Sequence, residues 1–148
     1  MKIEFGKEPD IEKWMNLVNK VKSSFPGLET KEALDEHRQT VLNFMSTASA
    51  ICAKTEDQIV GVLLFSREEN MLCFLAVDEK HRRQHIAERM VACMLSCMNP
   101  EKKVIVTTYR EGAPEGLAAR AFYKRLGFVE GEFTEEFGTP VQEFVLKR

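Results

Sequence analysis

"MLCFLAVDEKHRRQHIAERMVACML", residues 71–95, is the stretch on which the fold turns. Its first seven residues are almost wholly apolar, which reads as a strand buried on both faces. From His85 to Asn99 the apolar residues run almost all round a helical wheel, with Glu88, Arg89 and Ser96 as the main polar positions. That pattern predicts a helix lying deep in the domain. Between strand and helix stand Arg82, Arg83, Gln84 and His85. A strand that runs straight into a helix leaves the first helical N–H groups without partners, at the positive end of the helix dipole. Such a place suits an anion, a phosphate above all. The competing reading is a solvated loop, in which each basic side chain costs the helix about 0.3–1 kcal/mol. No Walker loop and no G-x-G-x-x-G occurs, so the common nucleotide cradles are not used.

Outward from this stretch the hydrophobic period assigns the other elements. "MKIEF" alternates as a short strand. Ile11, Trp14, Met15, Val18 and Val21 fall at helical spacing, and the Pro26-Gly27 pair stops that helix. A second amphipathic helix follows, with Thr30 as its N-cap. The period then changes to two: "AICAKTED" and "IVGVLLFSREEN" read as antiparallel strands joined at Glu56–Gln58, with "MLCFLAVD" next. After the helix ended by Asn99 and Pro100, "KKVIVTTYR" is another buried strand. "PEGLAARAFYKRLGF" is a helix with Pro114 early and Gly127 just past its end. "VEGEFTEE" and "PVQEFVLKR" close as a strand pair around "FGTP". The order β, α, α, β, β, β, α, β, α, β, β, without repeat or linker, predicts a single α+β domain over residues 1–148.

The 148 residues carry a formal net charge of −2. A chain this long can bury roughly 68–70% of its unfolded surface without staples. The charge argues against nonspecific nucleic-acid binding, which needs many cations. No signal-type run and no membrane span is expected, so the predicted location is cytoplasmic. Cys52, Cys73, Cys93 and Cys97 form no C-x-x-C pair. They read as reduced thiols packed as small hydrophobes rather than as a metal site with the three histidines, so no metal is expected.

The segment "LAVDEKHRRQHIAERMVACML" resembles the acetyl-CoA-binding motif of the GNAT N-acetyltransferases. In that motif a strand ends in Val, and then Arg or Gln, two residues, Gly, one residue, and Gly or Ala open a helix. Here it reads Arg82, Arg83, Gln84, His85, Ile86, Ala87. A later block, "AARAFYKRLGF", is similar to the family's second conserved helix, with Ala119, Phe122, Tyr123, Leu126, Gly127 and Phe128 in their usual places. The two are separated by a strand, as in the family. The resemblance implies the acyl-CoA N-acyltransferase fold: a mixed, mostly antiparallel sheet flanked by helices, with a splay between its two central parallel strands. It implies that acetyl-CoA enters that splay. The pantetheine then pairs with Leu75, Ala76 and Val77, and the pyrophosphate rests on the amides of Arg83 to Ala87 with the side chains of Arg82 and Arg83. Two positions depart from the pattern. His85 stands where the family has glycine, so its side chain must point away or contact the ligand itself. Gly116 stands where the family often has asparagine, seven residues before the tyrosine.

The implied activity is acetyl transfer to a small-molecule or peptide amine, with a homodimer allowed and neither nucleic acid nor membrane as partner. Tyr123 is the implied general acid for the leaving thiol; the alternative is a core tyrosine beside Phe122. Tyr109 lines the acceptor side or packs. Glu69 and Glu111 are candidate bases, or solvated loop carboxylates. Arg110 is a candidate for holding an acceptor carboxylate. His37 and His81 read as surface residues, and Met90, Met94 and Met98 as core. The acceptor side implied by the family lies at "SSFPGLET" and "TEEFGTP", where Glu29, Glu135 and Glu136 would make an acidic or merely solvated rim. Two other functions fit the same resemblance: a CoA-binding regulator without turnover, and an acyltransferase using another acyl-CoA.

Overall fold

A computed structural model describes residues 1–148. The elements are β1 (Lys2–Phe5), α1 (Ile11–Val21), α2 (Lys31–Ser46), β2 (Ala50–Lys54), β3 (Ile59–Ser66), β4 (Met71–Val77), α3 (Ile86–Cys97), β5 (Val104–Tyr109), α4 (Leu117–Arg125), β6 (Val129–Glu136) and β7 (Thr139–Leu146). Their order is the one the hydrophobic periods predict. The strands form one seven-stranded sheet in the order β1-β2-β3-β4-β5-β7-β6. Every neighbouring pair is antiparallel except β4 and β5.

Helices cover both faces of the sheet, which is why β3 is apolar without interruption. On one face, Trp14, Leu17 and Val18 of α1 and Val41 of α2 pack on Val62 and Leu64 of β3. On the other, Met90 and Met94 of α3 and Tyr123 of α4 pack on Leu63, Phe65, Val106 and Phe144. Each fully buried side chain of this size stabilises the fold by roughly 1.5–3 kcal/mol. A charge at Leu17, which is 1% exposed, would break the first of these faces. The Thr30 hydroxyl accepts the Ala33 N–H at 3.0 Å, so α2 starts at the predicted cap.

Two expectations are corrected. Helix α3 does not lie deep: Ile86, Met90, Val91, Met94 and Met98 are buried, but Ala92 and Ser96 face water and Cys93 and Cys97 are half-buried. Alanine and cysteine are apolar but small, and a solvated face tolerates them. The methionine stripe is core, as predicted. Among the four free thiols only Cys52 is fully packed, whereas Cys73 is exposed.

The exposure of Cys73 has a backbone cause. Leu64 faces Phe74 and Phe65 faces Leu72, so Cys73 is an extra residue in β4. A bulge of this kind bends and twists its strand. The parallel ladder between β4 and β5 consists of Met71 opposite Ile105 and Leu72 opposite Val106, and it stops there. Beyond the bulge the two strands diverge. The splay that the resemblance implies is therefore present, and its apex lies at Leu72, Cys73 and Val106. No helix is long and apolar enough to cross a membrane.

Candidate functional site

The diverging strands open a cleft of about 940 Å³ that runs through the sheet between its two helical layers. On one wall, β4 stays paired with β3 as far as Val77, so Leu75, Ala76 and Val77 turn an unpaired edge into the cleft. On the other wall, Thr107, Thr108 and Tyr109 are held from behind by β7. Backbone amides left open along a strand edge demand partners. An extended ligand with amides of its own can supply them, as an added strand would.

At the end of β4 the Asp78 carboxylate accepts the Lys80 N–H at 3.2 Å, starting a short 3-10 turn. The chain then takes two left-handed residues, Arg83 (φ 66°) and His85 (φ 59°), on either side of Gln84. The first backbone bond of α3 runs from Arg89 N to His85 O, at 3.0 Å. The six preceding N–H groups, Arg83 to Glu88, have no acceptor in the protein. Six free donors at the positive end of a helix make a strong anion site. Arg82 and Arg83 line the cleft here, and neither guanidinium takes part in an ion pair.

His85 occupies a left-handed position, which explains why glycine suits it. Its imidazole turns back along the helix, with Nδ1 3.1 Å from Glu88 Oε2. Both residues line the cleft beside the free amides. Gly116 has a different origin. A β-carbon there would stand 2.6 Å from the Tyr109 Cβ, so no asparagine fits at the start of α4.

Tyr123 lines the cleft and is 5% exposed. Its ring lies 5.5 Å from Phe128 and 6.1 Å from Phe144, centre to centre. Burial pushes its pKa up. Tyr109 also lines the cleft, and burial together with the carboxylates of Glu115 and Glu29 raises its pKa.

Several candidates lie elsewhere. Neither Glu69, in the β3–β4 turn, nor Glu111, in the loop after β5, reaches the cleft. Arg110 is not available to a ligand carboxylate. It donates to Val141 O at 3.0 Å and Thr134 O at 2.9 Å and stacks on Phe133, tying β5 to the β6–β7 hairpin. His81 sits beside Asp78. His37, by contrast, lines the cleft and packs at a tilt against Phe74, with ring centres 4.8 Å apart. Burial lowers its pKa, so it is neutral at pH 7.

Two further contacts escaped sequence reasoning. Thr107, the first β5 residue past the ladder, donates to Glu136 Oε1 at 2.5 Å. Arg120, 6% exposed, donates to Tyr109 O at 3.0 Å, to Gln142 Oε1 at 2.9 Å and to Glu130 Oε2 at 2.8 Å. The signal for Arg120 was a cation three residues before Tyr123, on the helix face that otherwise turns to the core.

The fold has many solved counterparts. A ribosomal-protein-alanine N-acetyltransferase from Brucella melitensis superimposes with a TM-score of 0.77 at 16% identity, over 100% of each chain. An N-acetyltransferase from Staphylococcus aureus Mu50 gives 0.76 at 15%, over 99% of this chain and 100% of that one. The PaiA N-acetyltransferase from Thermoplasma acidophilum, solved in complex with coenzyme A, gives 0.70 at 13%, over 96% of each. No curated protein matches the sequence significantly. A family model does: the acetyltransferase (GNAT) domain matches residues 46–130, from the end of α2 to the start of β6. That is more than half of the chain and takes in both the bulged β4 edge and the free amides of α3, and by it the protein belongs to the GNAT acetyltransferase family.

Proposed function

We propose that the protein transfers an acetyl group from acetyl-CoA to a primary amine by direct attack. The observation that carries this reading is the continuous path from the open β4 edge to the six free amides at α3. Pantetheine has two amides, which suit Leu75 to Val77. A pyrophosphate suits the amides of Arg83 to Ala87, with Arg82 and Arg83 beside it. The Thermoplasma neighbour, solved with coenzyme A, supports the choice of cosubstrate. Four free thiols suit a reducing, cytosolic setting.

In the reaction the amine lone pair attacks the thioester carbonyl, forming the C–N bond, and collapse breaks the C–S bond. The amine must be neutral to attack. For a group of pKa near 10.4, neutrality at pH 7 costs about 4–5 kcal/mol. The departing thiolate takes a proton from the Tyr123 hydroxyl, which burial keeps protonated. The proton lost by the amine passes to solvent or to a base in the cleft.

Calorimetry with CoA, paired with thiol release from acetyl-CoA in the presence of amines, tests the proposal. Arg83→Ala and Ile86→Pro should each weaken CoA binding by about tenfold or more, the value of one charge-assisted hydrogen bond. Unchanged affinity in Ile86→Pro would place the site elsewhere. CoA binding without any thiol release would leave a binding module.

A further inference from the structure

On the face of the sheet covered by α1 and α2, the cleft is walled by aromatic rings. Phe74 follows the bulge at Cys73. The rings of Phe25 and His37 pack against it at a tilt, with centres 4.4 Å and 4.8 Å away. With His37 neutral, this wall carries no positive charge. Phe137, at the tip of the β6–β7 hairpin, is 80% exposed yet bounds the same cleft. It also touches Gly27 of the α1–α2 loop so closely that a β-carbon there would lie 2.9 Å from its ring. The two loops therefore meet over the cleft.

Glu36, Glu88, Glu115 and Glu136 line the cleft, and Glu136 is the one tied to its apex. Thr107 holds it at the apex, where the β4–β5 ladder ends, and its charge reaches Cys73. An ammonium group held there lies next to the first residues past the bulge, and a ring one or two carbons away meets Phe74. We infer that the acceptor is a small arylalkylamine, with its ring against Phe74, Phe25 and Phe137 and its nitrogen at Glu136. The inference rests on the transfer reading above and adds the substrate class to it.

Two alternative acceptors fit less well. A polyamine carries a charge every three or four carbons, and the Phe74–Phe25 wall desolvates any charge laid against it. A folded protein would have to part the Gly27–Phe137 contact to enter.

The test is thiol release from acetyl-CoA with 2-phenylethylamine, tryptamine, spermidine, lysine and a short peptide with a free N-terminus. The arylalkylamines should exceed spermidine and lysine in kcat/KM by at least about tenfold, since a filled apolar pocket discriminates by roughly 10–200-fold. Phe74→Ala should raise KM for 2-phenylethylamine about tenfold or more with CoA affinity unchanged. Glu136→Gln keeps the hydrogen bond from Thr107 and should also raise that KM. The wild-type panel decides the matter even if a variant fails to fold. Release that is fastest with spermidine, lysine or the peptide overturns the acceptor class and leaves acetyl transfer standing. Release with no amine overturns both, and calorimetry then shows whether CoA binding survives.

Discussion

Gly116 approaches Tyr109 so closely that a β-carbon at position 116 would stand 2.6 Å from the Tyr109 Cβ. This contact fixes the start of α4 against the end of β5, and so the position of both tyrosines in the cleft. Gly116→Asn, which restores the residue common in the family, must displace Tyr109 or the helix start. Overpacking of this kind costs about 1–3 kcal/mol. Urea unfolding should show the loss, and a midpoint equal to wild type would mean that the helix start yields freely.

His85 should be replaceable by glycine without harm to the cofactor. A non-glycine residue in the left-handed region loses about 1–2 kcal/mol. The contact with Glu88 is exposed on both sides and offsets only a few tenths of that. His85→Gly should therefore hold or raise stability by up to about 1 kcal/mol. CoA affinity should not fall, because the N–H donors remain. A tenfold loss of affinity by calorimetry would show that the imidazole touches the ligand.

Cys73 should report cleft occupancy. It is exposed at the bulge, but the cleft walls crowd it, and burial with the charges of Glu69 and Glu136 pushes its thiol up to about 11. The raised value keeps the thiol protonated in the neutral range; at pH 8 the thiolate is about one part in a thousand. Alkylation by iodoacetamide, followed by mass spectrometry, should be slow at pH 7 and rise about tenfold per pH unit towards pH 11. Saturating CoA should slow it further. Labelling at the same rate with and without CoA would place the ligand away from the splay.

The element order was legible because the hydrophobic period changes sharply, from helical spacing at Ile11, Trp14 and Val18 to strand runs from Ala50 onward. The free amides ahead of α3 were legible because strand, basic residues and helix follow one another from β4 to α3. What escaped depends on contacts between distant segments. The bulge flips the alternation at Cys73, and only pairing with Leu64 and Phe65 reveals it. Arg110 reads as a free cation until the carbonyls of Thr134 and Val141 close on it. His37 reads as a surface residue because its partner, Phe74, lies on another element 37 residues later. Gly116 reads as a lost asparagine until Tyr109 is seen to fill the space.

Tyr123→Phe is the decisive test of proton donation. The tyrosine ring packs against Phe128 and Phe144, and its hydroxyl, on the cleft side, is not one of the sealed, unpaired polar groups of the core. Phenylalanine keeps the ring contacts and leaves no protein group unpaired, so stability and CoA affinity should barely change. Burial raises the hydroxyl pKa, and a raised acid pKa extends the protonated, donating form to higher pH. The wild-type kcat should therefore show no alkaline fall from this residue up to about pH 10, the value for a free tyrosine. Loss of a general acid typically lowers kcat by about 10²–10⁴-fold, and at least a tenfold drop is expected here, in kcat rather than in KM. A purely structural tyrosine gives the opposite pattern: turnover within about twofold of wild type, with an unchanged pH profile. That result would leave the thiolate to take its proton from solvent or from Tyr109, which lines the cleft at the end of β5.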